Sequence, residues 1–173
     1  MIEQSQFTVR VLAIYPVSRG FGFVVFEGPR NLIDWGMKST RHNTNARCLD
    51  LVKHLTSRYA PDAVITERIS DSGSRRGRRV NHLVKRIAKL GTRAQIKVES
   101  VSRSQVRTWF GQGEATTKQQ MAIAIAKQFP ELYYSLPKPR KCYMSEDARM
   151  SIFEAAALAL LFYSGNENDK RII

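Results

Sequence analysis

FTVRVLAIY (residues 7–15), FGFVVFE (21–27) and NLIDWGM (31–37) are three short runs rich in β-branched and aromatic side chains, separated by Gly or Pro clusters. They predict a three-strand antiparallel meander. Downstream, Cys48, Val52, Leu55 and Tyr59 recur at helical spacing, and Pro61 ends that helix before the apolar run Ala63 to Thr66. Val80, Leu83, Val84, Ile87 and Leu90 then make one apolar stripe, with Arg79, His82, Arg86 and Lys89 on the other side and Gly91 as the expected stop. AQIKVESV (94–101) alternates as a strand. Thr117 and Gln120 form a capping box for a helix carrying Met121, Ala122, Ile125 and Phe129, which Pro130 ends.

After the basic connector Pro137, Lys138, Pro139, Arg140 and Lys141, Ser145 is expected to cap a last helix. Glu146 and Asp147 would fill its first turn, favoured by the helix dipole, and it would run to about Tyr163, with the tail from Gly165 frayed. The order is three strands, then helix, strand, helix, strand, helix, helix. That order reads as an α/β fold whose mixed sheet has three antiparallel strands followed by two parallel strands, flanked by helices. Residues 1–173 are expected to form a single domain.

The net charge of +13 points to a polyanionic partner. From Arg68 to Arg107, twelve Lys or Arg face only Asp71 and Glu99, which places +10 of the charge in one stretch. Arg75, Arg76, Arg78 and Arg79 stand before or at the start of the striped helix, and Lys85, Arg86 and Lys89 stand on it; these seven are the candidate phosphate contacts. No window reaches the roughly 18 to 20 apolar residues of a membrane span, and the first residues lack a signal-like apolar stretch, so a cytoplasmic protein is expected. Cys48, Cys142, His42, His54 and His82 are too scattered for a disulfide framework or a zinc site. Trp109, Phe110, Tyr133 and Tyr134 could stack on bases, but such residues more often fill a core or its rim.

Three local sequences in this order resemble the RuvC-type Holliday-junction resolvases of the ribonuclease H-like superfamily, over roughly residues 9 to 163. In that family the first strand ends in an aspartate followed by Pro, a turn and a Gly-aromatic pair; VLAIYPVSRGFGFVVFEG (11–28) has that frame with Tyr15 at the aspartate's place. The family's next strand, introduced by Pro-Asp, ends in a glutamate, matched by Glu67 after Pro61, Asp62 and AVIT. In the last helix two acids, or a His and an acid, stand three apart before Ala. Here Ser151 and Glu154 hold those places, with Ala155 next.

The resemblance implies phosphodiester cleavage by two divalent ions held among carboxylates. It also implies a homodimer acting on DNA rather than RNA. Of the four ligand positions, however, only Glu67 and Glu154 are carboxylates; Tyr15 and Ser151 are a phenol and a hydroxyl, poor partners for Mg2+. Two acids could hold one ion, weakly. No other acid replaces the missing ones: Asp147 stands too far along the last helix from Glu154, Glu146 points elsewhere, and Asp34 lies away from the ligand edge. Apart from the resemblance, Tyr15 reads as a strand-end aromatic, Ser151 and Glu154 as helix-surface residues, and Glu67 as either a site remnant or the partner of Arg68 or another Arg.

The expected function is therefore a RuvC-like protein binding branched or duplex DNA with lost or weakened two-metal nuclease activity. The alternatives are an active divalent-metal endonuclease with altered ligands, or a structural component of a phage, plasmid or ribonucleoprotein assembly.

Overall fold

The computed structural model describes residues 8–42, 44–69, 77–112 and 116–166. Its centre is one five-stranded sheet in the order β3-β2-β1-β4-β5, built from β1 (Arg10–Val17), β2 (Gly20–Glu27), β3 (Leu32–Ser39), β4 (Ala63–Glu67) and β5 (Lys97–Val101). β1, β2 and β3 pair antiparallel, whereas β4 runs parallel to both β1 and β5. This is the mixed sheet expected from the sequence, with β1 at its middle.

Alternation along β1 divides the core between the two faces of the sheet. Val11, Ala13 and Tyr15 join the cluster formed with α4 (Lys118–Gln128) and α5 (Met150–Asn166). Leu12 and Ile14 join the cluster under α1 (Thr44–Tyr59) and α2 (Arg78–Arg93). α5 is buried along almost its whole length, including Ala155, Ala156 and Ala157, whose small side chains let it lie close to the sheet. Gly22 permits the closest approach: a Cβ there would sit 2.3 Å from the Ser151 carbonyl carbon.

Several elements differ from the sequence-based expectation. A further helix, α3 (Arg103–Gly111), follows β5, and Ser102 with Gln105 forms a complete capping box at its start. α2 does not stop at Gly91 but continues to Arg93, and Gly91 is required for a different reason, since a Cβ would fall 2.4 Å from Val98 of β5. Residues 94–96 belong to the turn and approach, so β5 begins only at Lys97. α5 starts at Met150 rather than after Ser145, because Asp147 folds back onto Arg149 and onto its own chain in the preceding turn. At its far end α5 includes Gly165 and Asn166; the rest of the tail expected to fray lies outside the described residues.

Candidate functional site: a cleft whose acids carry internal counter-ions

The register of the sheet brings the site together. Ile14 pairs with Thr66 across the parallel β1–β4 ladder, so the next residues, Tyr15 near the end of β1 and Glu67 at the end of β4, are neighbours on the same face as Ala13 and Ile65. Tyr15 stands opposite Gly22 on β2, and the missing side chain there admits the first turn of α5, which carries Ser151 and then Glu154. The four positions singled out in the sequence thus converge at one end of the sheet. Ser151 and Glu154 are not helix-surface residues: they are only 2% and 7% exposed, because α5 presses this side against the sheet.

Two cations absent from the sequence-based candidate set complete the site. Arg103 is the first residue of α3 and Lys118 the first of α4. Arg103 Nη2 donates to the Tyr15 hydroxyl at 3.0 Å, and its Nε lies 3.6 Å from Glu67 Oε1. Lys118 Nζ lies 2.9 Å from Glu154 Oε1 and 2.8 Å from Glu146 Oε1. The Lys118–Glu154 contact is a close ion pair that sets the ammonium against a nearly buried carboxylate. A cation at a helix amino terminus is opposed by the dipole, by about 0.3–1 kcal/mol, so the neighbouring acids must supply the compensating attraction.

The titration behaviour of both cations follows from this arrangement. Burial acts against the charge of Arg103, but the Tyr15 hydroxyl, Glu67 and Glu154 outweigh it and raise its pKa. Burial likewise opposes the charge of Lys118, and Glu154, Tyr15 and Glu146 together raise its pKa above the ordinary lysine value. Both side chains stay charged well into alkaline solution.

The acids considered as replacements fall as follows. Glu146 does not point elsewhere; it reaches the site through Lys118, because the turn ahead of α5 replaces the helical turn expected there. Asp147 is held by Arg149 at 2.6 Å, and Asp34 accepts from the Tyr59 hydroxyl on a separate part of the sheet. Ser151 Oγ donates to the Ala148 carbonyl at 2.6 Å. Among the described residues no group of three His, Cys, Asp or Glu side chains could hold a metal ion. A two-metal site needs clustered carboxylates with uncompensated charge. These residues do not fit it: two acids already face ammonium and guanidinium groups, and the other two positions are a phenol that accepts from Arg103 and a hydroxyl engaged by backbone.

The site opens into a cleft of about 660 Å³ whose lining includes Arg19, Lys38, Arg79, Arg103 and Lys118 against Glu146, Asp147 and Glu154. Of the predicted phosphate contacts, Arg75 and Arg76 lie outside the described residues. Arg78, Lys85, Arg86 and Lys89 are exposed. Arg79 is committed within the chain instead: it donates to the Val17 carbonyl at 2.7 Å, to the Ser18 carbonyl, and to Asn45 Oδ1 at 2.7 Å, tying α2 to the β1–β2 turn and to α1. Between α1 and α2 a second groove of about 510 Å³ is lined by Lys53, Arg86, Lys89 and Arg93, with Asp50 its acid.

RuvC of Thermus thermophilus in complex with a Holliday junction substrate superposes with a TM-score of 0.66 at 18% identity, over 91% of this chain and 96% of that one. The fold is that of the RuvC-type resolvases. The yeast mitochondrial Holliday junction resolvase shares this RuvC-type fold with a TM-score of 0.64 and 17% identity, over 91% of this chain and 80% of that one. The Fowlpox virus resolvase, solved with Holliday junction DNA, gives 0.54 and 14% over 91% and 99%. No protein-family model matches the sequence, and no curated protein matches it. No helix among the described residues is long and apolar enough to cross a membrane.

Proposed function

We propose that this protein binds branched or duplex DNA through a RuvC-type scaffold whose nuclease chemistry is lost or much weakened. One observation carries the reading: Arg103 and Lys118 stand among the retained acids, so the chain itself supplies positive charge beside Glu67 and Glu154. Magnesium would have to displace a partly buried ammonium and find ligands in a phenol and a committed hydroxyl. The basic cleft and the exposed Arg78, Lys85, Arg86 and Lys89 of α2 supply the phosphate-binding surface, and DNA is preferred to RNA because the solved relatives in complex hold junction DNA. Action as a homodimer belongs to the same reading.

The test is to measure binding and Mg2+-dependent cleavage of four-way and linear DNA side by side, with Glu67→Gln and Glu154→Gln as controls. Salt-steep binding without cleavage is expected, weakly dependent on sequence. Robust cleavage abolished by Glu154→Gln would establish the alternative, an active endonuclease with altered ligands.

A further inference from the structure

We propose that the strap from Tyr133 to Met144 is a stacking platform for unpaired bases. The sequence-based expectation that Tyr133 and Tyr134 fill core or rim does not hold: they are 66% and 92% exposed, while Trp109 and Phe110 do pack against the core. Tyr143 follows at 77% and Met144 at 50%. Tyr133 and Tyr134 stand edge to face with ring centroids 6.1 Å apart, so they form an exposed aromatic pair rather than singly scattered rings.

The strap is held while its rings stay exposed to solvent. Leu132 is fully buried beneath the short 3-10 helix Pro130–Ser135, Leu136 packs on the core, and Gln119 of α4 donates to the Pro137 carbonyl at 2.9 Å. Pro137 and Pro139 restrict the backbone between them, and Arg140 donates to the Met144 carbonyl, closing a turn in which Met144 N donates to Lys141 O at 3.0 Å. Binding on such a support costs little ordering entropy.

Charge selects the ligand. No Asp or Glu occurs from Leu132 to Met144, whereas Lys138, Arg140 and Lys141 are all present and exposed, with Lys141 Nζ 5.9 Å from the centroid of the Tyr143 ring. Aromatic faces interleaved with exposed cations that meet no carboxylate among the described residues, and with no exposed Leu, Ile or Val among them, suit a single-stranded polyphosphate with stackable bases better than a protein surface. The strap leads directly into Ser145–Ala148 on the rim of the cleft, so a strand opened there would meet it. The inference shares with the proposed function only the class of ligand.

Fluorescence anisotropy with a labelled oligo-dT strand and an abasic strand of equal length and charge tests it. The native chain is expected to bind oligo-dT about tenfold or more tightly than the abasic strand. Tyr134→Ala and Tyr143→Ala should each remove about fivefold or more of that preference and leave abasic binding unchanged, while Tyr134→Phe, which keeps the ring face, retains it. Joint replacement of Lys138, Arg140 and Lys141 by Ala should weaken both strands and lower the salt slope by about 2, at roughly 0.7 per single-strand contact. Equal affinity of the native chain for the two strands, or an unchanged preference in Tyr134→Ala, would overturn the platform. Duplex and junction binding, followed in parallel, reports separately on the cleft.

Discussion

The two ends of β1 handle charge differently. At its amino-terminal end Arg10 is a partly exposed strut: its backbone N–H donates to Asp62 at 2.7 Å, its guanidinium to the Tyr59 carbonyl at 2.8 Å and to Glu27 at 2.5 Å, and both members of the Arg10–Glu27 pair are about a third exposed at 35% and 36%. At its carboxy-terminal end the acids are nearly dry, with side chains of Glu67 and Glu154 only 11% and 9% exposed, and their counter-charges arrive from the starts of two helices distant in sequence. The first arrangement pairs its charges within the chain and leaves both partners about a third exposed. The second keeps two carboxylates beside the core only while positive charge stays with them, whether from metal or from the chain.

Breaking the cleft end should therefore cost far more than breaking the other. Lys118→Met leaves Glu154 without its nearest counter-charge and is expected to destabilise the fold by about 3 kcal/mol, at the low end for broken buried pairs because Lys118 retains some exposure. Lys118→Met with Glu154→Met should recover most of that loss, since an apolar pair replaces the ionic one. Urea denaturation of the single and double variants measures both, and a single variant as stable as the native chain would remove the contrast. Gly22→Ala sharpens it sterically: its Cβ would meet the Ser151 backbone, with an expected loss of about 1–3 kcal/mol in the same assay. Arg10→Ala, at the partly exposed end, should cost less than about 1 kcal/mol and depend on salt.

The smallest effect is in pH. The pKa of Lys118 is raised by folding, so its contribution is complete below the ordinary value of 10.5 and is lost as pH rises through the higher folded value. Asp147 is the opposite case: hydrogen bonding to Arg149 lowers its pKa, so its contribution is present above the ordinary 3.8 and is lost as pH falls through the lower folded value. Denaturation midpoints for Lys118→Met and native protein should keep a constant separation from pH 7 to pH 9 and converge only in stronger alkali.

Strand alternation and short apolar runs made the sheet readable in the sequence, because the pattern of period two fixes which residues share a face. Tyr15, Glu67, Ser151 and Glu154 were singled out by the resemblance to the RuvC-type resolvases, since by pattern alone they read as a strand-end aromatic, a strand-end acid and helix-surface residues. The cations were not readable in the same way. Arg103 and Lys118 lie among many basic residues, and only tertiary packing selects the two that meet the acids; the signal available was that each follows a capping residue, Ser102 or Thr117, and so begins a helix. The Ser102 box also announces α3, which lacks a long apolar stripe, with Val106 its one buried side chain. Glu146 was misplaced because a preference for acids in a first helical turn competes with Asp147 closing a turn onto Arg149, and the turn prevails.

Tyr15→Asp and Ser151→Asp would add carboxylates at the two positions that lack them, but with Lys118 and Arg103 in place the new carboxylates would draw those cations rather than a metal ion. Calorimetric titration of Mn2+ into the native protein, the Tyr15→Asp/Ser151→Asp variant and the same variant carrying Lys118→Ala and Arg103→Ala is the direct measurement. The account predicts no saturable site at millimolar Mn2+ in the first two and a measurable one only in the third. Saturable binding by the native chain, lost in Glu154→Gln, would contradict it.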